Sequence, residues 1–376
     1  MMRGFPEAEF RARTRAAQAR MAEEGLGALW LTTEVDVRYF TGFLTRFWES
    51  PSRPWHLIVP AEGKPIAVIP SIGAYLMGTT WVEDIRTWSA PNLADDGVSL
   101  LAETLTDVGG PVGVPSGYET HLRMPLADFE RVKAMSGIKI TDDAGIVADL
   151  RAIKSEAEIE KITHTCAIAG RAFARMGEIA GEGVALSQVF RDFQRLLLEE
   201  GADWVPYMSG GAEQDGYGDV ISLAKDAPLE AGDVMMVDTG AIWDGYFNDY
   251  DRNFAITRAS DAAKAAHARL IEATDAAFRI ARPGARACDL WKAMADIVGG
   301  GEEAGRLGHA LGMQLTEGLS LTPRDETVLR PGMVITLEPG TEVVPGKIMV
   351  HEENIVITEG APRAISPFSG AELPVL

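Results

Sequence analysis

VMMVDTGAIWDGYFNDYDRNF, residues 234–254, places a carboxylate directly after an apolar run. The run from Val234 to Val237 is typical of a buried strand, and Asp238 follows it at once. Three more aspartates lie in the same stretch: Asp244, Asp249 and Asp251. Because a charged group beside a buried strand is costly unless it is paired, the partner of Asp238 should indicate what this stretch does.

The dipeptide Asp244-Gly245 predicts a hairpin and sets its register. It is a strong signal for a two-residue turn, which requires positive φ. A turn centred there pairs Asp238 with Asp251 and places Asp249 on the same face, about 7–8 Å from Asp238. Carboxylates this close repel each other unless a proton or a cation compensates them, and burial strengthens the repulsion. A divalent metal ion explains the pattern best.

An acidic hairpin that is exposed to solvent is the alternative interpretation. It accounts for Asp244, which lies in the predicted turn. It does not account for Asp238 after the apolar run, or for Glu338, which follows MVITL in the same way.

A similar pattern recurs about 100 residues further along the chain. Each copy has a glycine, five mostly apolar residues, a carboxylate, one residue and another glycine: Gly232, Asp238 and Gly240, then Gly332, Glu338 and Gly340. Two helical segments are predicted before each copy, at about 156–180 and 186–200, and at about 260–282 and 286–299. The repeat predicts two similar half-domains, each of which ends a buried strand in an acid.

Composition limits the class of protein. The chain has 376 residues and a formal net charge of −20, which argues against a nucleic-acid or anionic-membrane partner because no basic stripe can neutralise phosphate. Neither a secretory signal nor a run of ~18 apolar residues is visible. Cys166 and Cys288 form no spacing motif, so reduced thiols are expected. We therefore expect a soluble, cytoplasmic protein.

Two domains are expected, residues 1–150 and 151–376. The first part alternates strand-like and helical segments, which predicts a compact α/β domain. Its clearest segments are the strands ALWLTT, HLIVP and PIAVIP and the amphipathic helix RMPLADFERVKAM. Ser155 and Glu158 form a capping-box pattern that opens a long helix, which puts the boundary near Leu150.

Further candidate ligands lie in the second hairpin and just before it. VITLEPG contains Glu338, VHEENIVIT contains Glu352, and GHALG holds His309 between small residues. Glycine neighbours permit close backbone approach, although a single histidine is more often part of a core or a surface. Four carboxylates and one imidazole form an oxygen-rich set that suits Mn, Fe or Co, with Zn as a further candidate. Bridging carboxylates could hold two ions about 3.5–4 Å apart.

These segments resemble the pita-bread metallopeptidase family, which includes Xaa-Pro aminopeptidase, prolidase, methionine aminopeptidase and creatinase. The segments DTGAIWDGYFNDYDRNF, GHALG, LEPG and EENIVIT match in order and spacing, with 11 residues from Asp238 to Asp249 and 29 from His309 to Glu338. The linker LRAIKSEAEIEKI and the α/β N-terminal domain resemble the longer members, so the resemblance covers essentially the whole chain.

The resemblance implies a creatinase-type α/β N-terminal domain and an α+β pita-bread catalytic domain of two similar half-domains. It implies two divalent metal ions, Mn first, with these ligands: Asp238, Asp249, His309, Glu338 and Glu352. It further implies a hydrolase of the Xaa-Pro peptidase type, either aminopeptidase P or prolidase, which cleaves an amide C–N bond with a metal-bridging hydroxide.

The chain departs from the peptidase members around this set. Where peptidase members have two histidines near the scissile bond, this chain has Ile221 and Thr316. Where they commonly have an arginine, it has Val350. The catalytic candidates that could replace them are Asp251, Tyr217 and Asp219. Their alternative roles are hydrogen-bonding support for a ligand and membership of a polar loop.

These replacements leave two reactions open. One is hydrolysis of an Xaa-Pro dipeptide. The other uses the same scaffold on a small zwitterion, as creatinase, ectoine hydrolase and dimethylsulfoniopropionate lyase do, and the missing histidines favour it. A binding protein without catalysis is disfavoured by the complete ligand set.

The segment TGFLTRFWESPSRPWHL, residues 41–57, combines aromatic residues with arginines. In creatinase-like relatives a loop of this kind caps the site of a neighbouring subunit. Arg53 would then bind a substrate carboxylate, and Trp48 and Trp55 would surround a cation. The alternative is a hydrophobic dimer interface, which is enriched in the same residue types. Both interpretations predict a homodimer.

Overall fold

Two compact units, residues 1–151 and 152–376, make up the chain in its computed structural model. The structure describes residues 2–49, 53–301 and 305–376. Within those ranges, no helix is both long enough and apolar enough to cross a membrane.

The first unit is an α/β domain with one mixed sheet. Its strands are β1 Ala28–Leu31, β2 His56–Pro60, β3 Ile66–Pro70, β4 Asp84–Trp88, β5 Val112–Val114 and β6 Ile140–Asp142. Its helices are α1 Glu7–Glu24, α2 Glu34–Thr41, α3 Ala74–Met77, α4 Val98–Val108, α5 Leu126–Ser136 and α6 Ile146–Ala152. The spatial order is β4-β3-β2-β1-β5-β6, with β1 antiparallel to β2 and parallel to β5. The predicted α/β fold is confirmed.

The apolar runs of this unit form the strands that the sequence predicts. ALWLTT, HLIVP and PIAVIP supply β1, β2 and β3, and RMPLADFERVKAM supplies α5. Every residue of β1 is buried, as an unbroken apolar strand with both faces covered should be. Helix α1 ends where Gly25 adopts a φ of 67°, a left-handed cap that glycine permits.

The second unit contains the repeated pattern. Its helices are α7 Glu156–Ala174, α8 Leu186–Glu199, α9 Asp261–Ile280 and α10 Ala287–Val298. Its strands are β7 Trp204–Gln214, β8 Asp233–Trp243, β9 Tyr246–Phe247, β10 Tyr250–Ala255, β11 Val334–Leu337, β12 Gly340–Val344, β13 Lys347–Val350, β14 Glu353–Val356 and β15 Arg363–Ala364. They form sheets in the order β10-β8-β7 with β9 on β8, β11-β14-β15, and β12-β13. Helix α7 begins at the predicted capping box of Ser155 and Glu158.

The two halves of this unit close their hairpins with the same backbone hydrogen bonds. The Gly232 N–H donates to Ile256 O at 2.8 Å, and the Gly332 N–H donates to Ile357 O at 2.9 Å. Both glycines have positive φ, 103° and 89°, a conformation that other residues rarely adopt. The repeat seen in the sequence therefore corresponds to two hairpins that are closed in the same way in the structure.

The register of the first hairpin is the predicted one. Trp243 pairs with Tyr246, and Asp238 pairs with Asp251. The exposed-hairpin interpretation is wrong, because β8 is buried at all positions but Ile242. Even Asp244 is buried in the turn, where its carboxylate accepts a hydrogen bond from the Lys161 ammonium group.

Gly210 of β7 offers a test of how tightly β7 and β8 pack. Its φ is 149°, and an added Cβ would lie 2.1 Å from Met236 O. Because backbone cannot move aside as a flexible side chain can, Gly210→Ala is expected to lower the free energy of unfolding by roughly 2–4 kcal/mol.

The matched control is Gly218→Ala, since a Cβ there would meet nothing within 4 Å. Denaturant unfolding of both variants measures the difference. Equal stability of Gly210→Ala and the unchanged protein would contradict the observed strand packing.

Candidate metal centre

Three of the predicted ligands lie together in the second unit. One ligand atom from each of Asp249, His309 and Glu352 lies within 4.8 Å of the others, and all three side chains are buried. His309 Nε2 is 3.2 Å from Asp249 Oδ2 and 3.7 Å from Glu352 Oε1. Asp249 lies between β9 and β10, and Glu352 immediately precedes β14. Each hairpin therefore supplies one carboxylate to this group.

Asp238 and Glu338 are the acids that the sequence places at the ends of buried strands. Asp238 lies in β8 and Glu338 follows β11. The negative charge of Asp249 acts on both of them and raises their pKa values. Asp238 Oδ2 accepts a hydrogen bond from the Tyr207 hydroxyl at 2.9 Å, and the Glu338 N–H donates to Leu307 O at 3.0 Å. The first contact restrains the carboxylate end of the Asp238 side chain. The second restrains the backbone from which the Glu338 side chain extends.

Burial makes the charged forms of these carboxyl groups unfavourable. It raises the pKa of Asp238, Asp249 and Glu352 well above the ordinary range. Burial is also the largest cause that raises the pKa of Glu338, from 4.5 to about 7. Repulsion between neighbouring carboxylates adds to the rise, since like charges at short range disfavour ionisation. Without a cation, the group therefore retains protons that exposed carboxyls would lose.

The donor atoms fit a divalent metal ion. Asp238 Oδ1, Asp249 Oδ1 and Glu352 Oε1 are buried and accept no hydrogen bond from any described residue. His309 Nδ1 lies 3.0 Å from Ala310 O. Since a carbonyl only accepts, Nδ1 must carry the proton, and Nε2 turns its lone pair towards the carboxylates. An oxygen-rich set with one imidazole suits Mn or a similar ion, which would replace the retained protons.

Two further side chains, which sequence analysis missed, join the hairpins. Asn354 Oδ1 accepts a hydrogen bond from the Asp249 N–H at 3.1 Å, and its amide nitrogen donates to Asp249 O. Arg252 donates to Glu352 O at 3.1 Å and to Glu353 Oε2 at 3.0 Å. Asn354 and Arg252 thus restrain the backbone at Asp249 and Glu352, two of the proposed ligands. The sequence carried one indication of the role of Asn354. It lies two residues beyond Glu352, and side chains two apart in an extended chain point to the same face.

Asp251 is buried beside the group, opposite Asp238 in the hairpin. Its Oδ1 lies 3.7 Å from His351 Nδ1, and His351 Nε2 lies 3.2 Å from Glu353 Oε1. The negative charge of Asp251 also raises the pKa of Asp238 and Glu352. Its role as extra ligand, general base or hydrogen-bonding support stays a prediction.

The other two catalytic candidates have structural contacts. The Tyr217 hydroxyl is buried, donates to Asn253 Oδ1 at 3.2 Å and accepts from the Val350 N–H at 2.6 Å. The Asp219 carboxylate accepts from the Ile221 N–H at 2.9 Å and from the next N–H at 2.7 Å, so it stabilises its own turn. Ile221, the first replaced histidine, is 80% exposed. Catalytic roles for both residues stay predictions.

The second replaced position lies beside a cation that sequence analysis missed. Thr316 Oγ1 accepts a hydrogen bond from Arg306 at 3.5 Å. Arg306 also acts on the ligand set, since its positive charge opposes burial and lowers the pKa of Asp249 and Glu338. An isolated arginine three residues before His309 carried no signal of this in the sequence.

The aromatic–arginine segment lies in the first unit. Trp48 and Trp55 are buried there, with ring centroids 5.7 Å apart. The Arg53 guanidinium lies over the Phe47 ring at 5.0 Å. Residues 50–52 of this segment lie outside the described residues. A role for Trp48, Trp55 and Arg53 in a neighbour's site stays a prediction, and it would require both indoles to serve from a buried position.

Comparison with known families accounts for both units. Residues 160–359 match Peptidase_M24, described as metallopeptidase family M24. Residues 13–153 match the creatinase/prolidase N-terminal domain. Together the two matches follow the order of the two units along the chain.

Individual relatives agree with these matches. An Xaa-Pro dipeptidase of Pyrococcus horikoshii is 31% identical over 259 residues, which cover 66% of this chain and 72% of that protein. A probable dipeptidase PepE of Mycobacterium bovis is 27% identical over 94% of this chain and 93% of its own length.

Solved structures share the fold over the whole chain. Dipeptidase PepE of Mycobacterium ulcerans has a TM-score of 0.84 at 25% identity and covers 99% of both chains. A prolidase of Thermococcus sibiricus has a TM-score of 0.87 at 22% identity and covers 99% of this chain and 100% of its own. At 22% identity, the similarity to the Thermococcus sibiricus prolidase shows a shared fold and nothing more.

The raised pKa values predict an unusual pH dependence of the metal-free protein. Glu338 has a pKa of about 7 in the folded chain and 4.5 as its ordinary value. The folded state therefore binds this proton more tightly, which contributes stability that is complete below about pH 4.5 and is lost as the pH rises through 7. Asp238, Asp249 and Glu352 act in the same direction. Metal-free protein should melt a few degrees lower at pH 8 than at pH 6.

Scanning fluorimetry after chelation measures this difference, and Glu338→Gln is the control, because its amide cannot titrate. The variant should lose part of the pH dependence. Added Mn²⁺ should raise the melting temperature more at pH 8 than at pH 6, since fewer protons compete for the ligands. A metal-free protein that is more stable at pH 8 would contradict the sign.

Proposed function

This chain belongs to metallopeptidase family M24, and from that membership we propose that it hydrolyses dipeptides with a C-terminal proline. The residues that would hold the catalytic metal ions are Asp238, Asp249, His309, Glu338 and Glu352. The boundary between the creatinase-type domain and the catalytic domain is proposed near Leu150. The pita-bread resemblance found in the sequence is confirmed, since both family matches follow it.

One observation carries the proposal. Asp249, His309 and Glu352 form a buried group, with carboxylate oxygens that accept no hydrogen bond from described residues. A purely structural acidic cluster would have basic side chains or other protein donors at those oxygens. The Xaa-Pro dipeptidase from Pyrococcus supports the substrate class.

The residues of this chain would prepare the site for an amide substrate. A bound divalent ion supplies Lewis-acid chemistry for amide hydrolysis. The Tyr207 hydroxyl restrains Asp238, and Asn354 restrains the backbone of Asp249. Burial excludes water from the carboxylates and strengthens their interaction with a cation. Asp251 would accept the proton that the attacking water loses and pass it to the leaving nitrogen, since it is the catalytic candidate that pairs with Asp238 in the hairpin.

The comparisons do not favour a small zwitterionic substrate. The relatives described above are dipeptidases by name. The replacements at Ile221 and Thr316 motivated that alternative, and they remain compatible with a peptidase that uses other groups at these places.

Finer properties are part of the same proposal. Two ions, with Mn²⁺ first, would suit the oxygen-rich set. A homodimer is proposed from the aromatic–arginine segment 41–57, where Leu44 and Phe47 are 39% and 38% exposed. A cytoplasmic location is proposed from Cys166 and Cys288, which are free thiols.

Loss of either proposed ligand should remove the metal. Asp249→Ala and Glu338→Ala are each expected to lower bound Mn²⁺ and to reduce activity by more than about 100-fold, beyond what loss of a supporting residue produces. Elemental analysis of purified protein measures the metal. Glu372→Gln, at an exposed carboxylate, is the control and should retain both. Full metal content in Asp249→Ala or Glu338→Ala would refute the ligand assignment.

Substrate preference tests the reaction. Mn²⁺-loaded protein should release proline from Ala-Pro with a kcat/KM at least about 10-fold above its values for Ala-Ala, creatine and ectoine, because a built site discriminates by substrate shape and polar groups. Chelation should abolish the activity, and Mn²⁺ should restore it. Faster turnover of a small zwitterion than of Ala-Pro would overturn the proposed function.

A further inference from the structure

The loop of residues 312–317 begins three residues after the proposed ligand His309. Its first carbonyl accepts a hydrogen bond from the Phe247 N–H at 2.9 Å, two residues before Asp249. Its last N–H donates to Ala310 O at 2.8 Å. Both ends of the loop are therefore bound to backbone that lies beside proposed ligands.

The middle of this loop reaches the face of β8 that carries Asp238. Gly240 lies two residues beyond Asp238, so side chains at these two positions would point to the same face of the strand. A Cβ added at Gly240 would lie 2.3 Å from Leu315 Cδ1. The half-buried Leu315 side chain therefore lies on the face of β8 that holds a proposed ligand, where it forms an apolar wall that is partly open to solvent.

A buried ion pair holds the loop from inside. Glu317 Oε2 accepts hydrogen bonds from the Met313 N–H at 2.9 Å and from the Gln314 N–H at 3.2 Å. Glu317 Oε1 lies 3.3 Å from the Lys154 ammonium group, and both side chains are buried. A Cβ added at Gly312 would lie 2.7 Å from Glu317 Oε2 and 2.9 Å from Lys154 Cε. Glu317 thus binds the loop backbone, and Lys154 neutralises the charge that Glu317 brings into the interior.

Lys154 has a fixed position of its own. Its N–H donates to Gly332 O at 2.9 Å, and Gly332 starts the second copy of the repeated pattern. Ser155, the next residue, caps helix α7. The Lys154 backbone is thus held between the second hairpin and α7, which gives its ammonium group a defined place from which to bind Glu317.

The proposed metal ligands have restraints that do not involve this ion pair. The His309 N–H donates to Thr336 Oγ1 at 3.1 Å, and the Asp249 N–H donates to Asn354 Oδ1 at 3.1 Å. Loss of the ion pair should therefore displace the 312–317 loop and leave the metal site intact.

We propose that Lys154 and Glu317 are positioning residues, which hold Leu315 at the metal centre and thereby determine how tightly the substrate binds. This rests on the proposed dipeptide hydrolysis and adds to it a pair of residues that act through the loop and touch neither the metal nor the substrate.

Hydrogen exchange of Lys154→Met tests the effect on the loop. Methionine is an unbranched side chain that cannot neutralise Glu317. The N–H groups of Met313 and Gln314 should exchange with deuterium at least about 10-fold faster than in the unchanged protein, because the loop opens more easily. Elemental analysis should find the same Mn²⁺ content in both proteins.

Kinetics with Ala-Pro test the effect on the substrate. In the Mn²⁺-loaded protein, Lys154→Met should raise KM by roughly 5- to 20-fold and change kcat by less than about 3-fold, since it weakens binding of the ground state and of the transition state alike. Lys154→Arg keeps the positive charge and should show a smaller rise in KM. If Lys154→Met does not fold, Lys154→Gln takes its place, because its amide still donates to Glu317, and the same changes are expected at smaller size.

Lys161→Met is the matched control. Lys161 is also a buried lysine, and its ammonium group binds Asp244 in the turn of the first hairpin. This variant should lose thermal stability as Lys154→Met does, since both leave a buried carboxylate without its cation. It should nevertheless retain the KM of the unchanged protein and slow exchange in the 312–317 loop. An equal rise in KM in both variants, or no rise in Lys154→Met, would overturn the proposal.

The same experiments separate this inference from the proposed function. If the unchanged protein hydrolyses Ala-Pro and Lys154→Met has the same KM, the positioning role is refuted and the peptidase activity stands. If the unchanged protein binds Ala-Pro without hydrolysing it, the proposed function fails. Weaker calorimetric binding of Ala-Pro by Lys154→Met, but not by Lys161→Met, would then still support the positioning role. Absence of any Ala-Pro binding by the unchanged protein would overturn both.

Discussion

Burial of carboxylates that repel one another is the constraint on which the second unit depends. Asp238 and Glu338 stand at the ends of apolar strands, and Asp249 and Glu352 lie against His309. Ionised carboxylates without partners are among the least tolerated groups in a protein interior. The backbone register prevents them from separating. The arrangement is therefore stable only with retained protons or with a cation, and this requirement is the reason for proposing a metal site here.

Duplication explains how one chain brings these acids together. Each half closes a hairpin through a glycine of positive φ, and equivalent backbone bonds recur in both halves. The hairpins are then joined by Asn354, which binds the backbone of Asp249, and by Arg252, which binds the backbone of Glu352. Because these contacts are buried, the separation of the proposed ligands is set by packing and not by their own side chains alone.

Sequence predicted those features that depend on local chemistry. The hairpin register followed from Asp244-Gly245, since the φ requirement of a turn is a property of the dipeptide. The partners of Tyr207 and Asn354 were missed, because they depend on pairing between β7 and β8 and on an approach of residues 105 positions apart. Asp244 appeared in the sequence as a turn residue, whereas its partner Lys161 lies 83 positions earlier. Arg306 gave no periodic signal at all.

Anomalous diffraction at the manganese absorption edge, from crystals grown with Mn²⁺, tests the central claim most directly. If the cation compensates the buried acids, anomalous density should lie beside Asp249 Oδ1, Glu352 Oε1 and Asp238 Oδ1, the buried oxygens that accept no hydrogen bond from described residues. Density confined to exposed carboxylates, with none among these oxygens, would contradict the account.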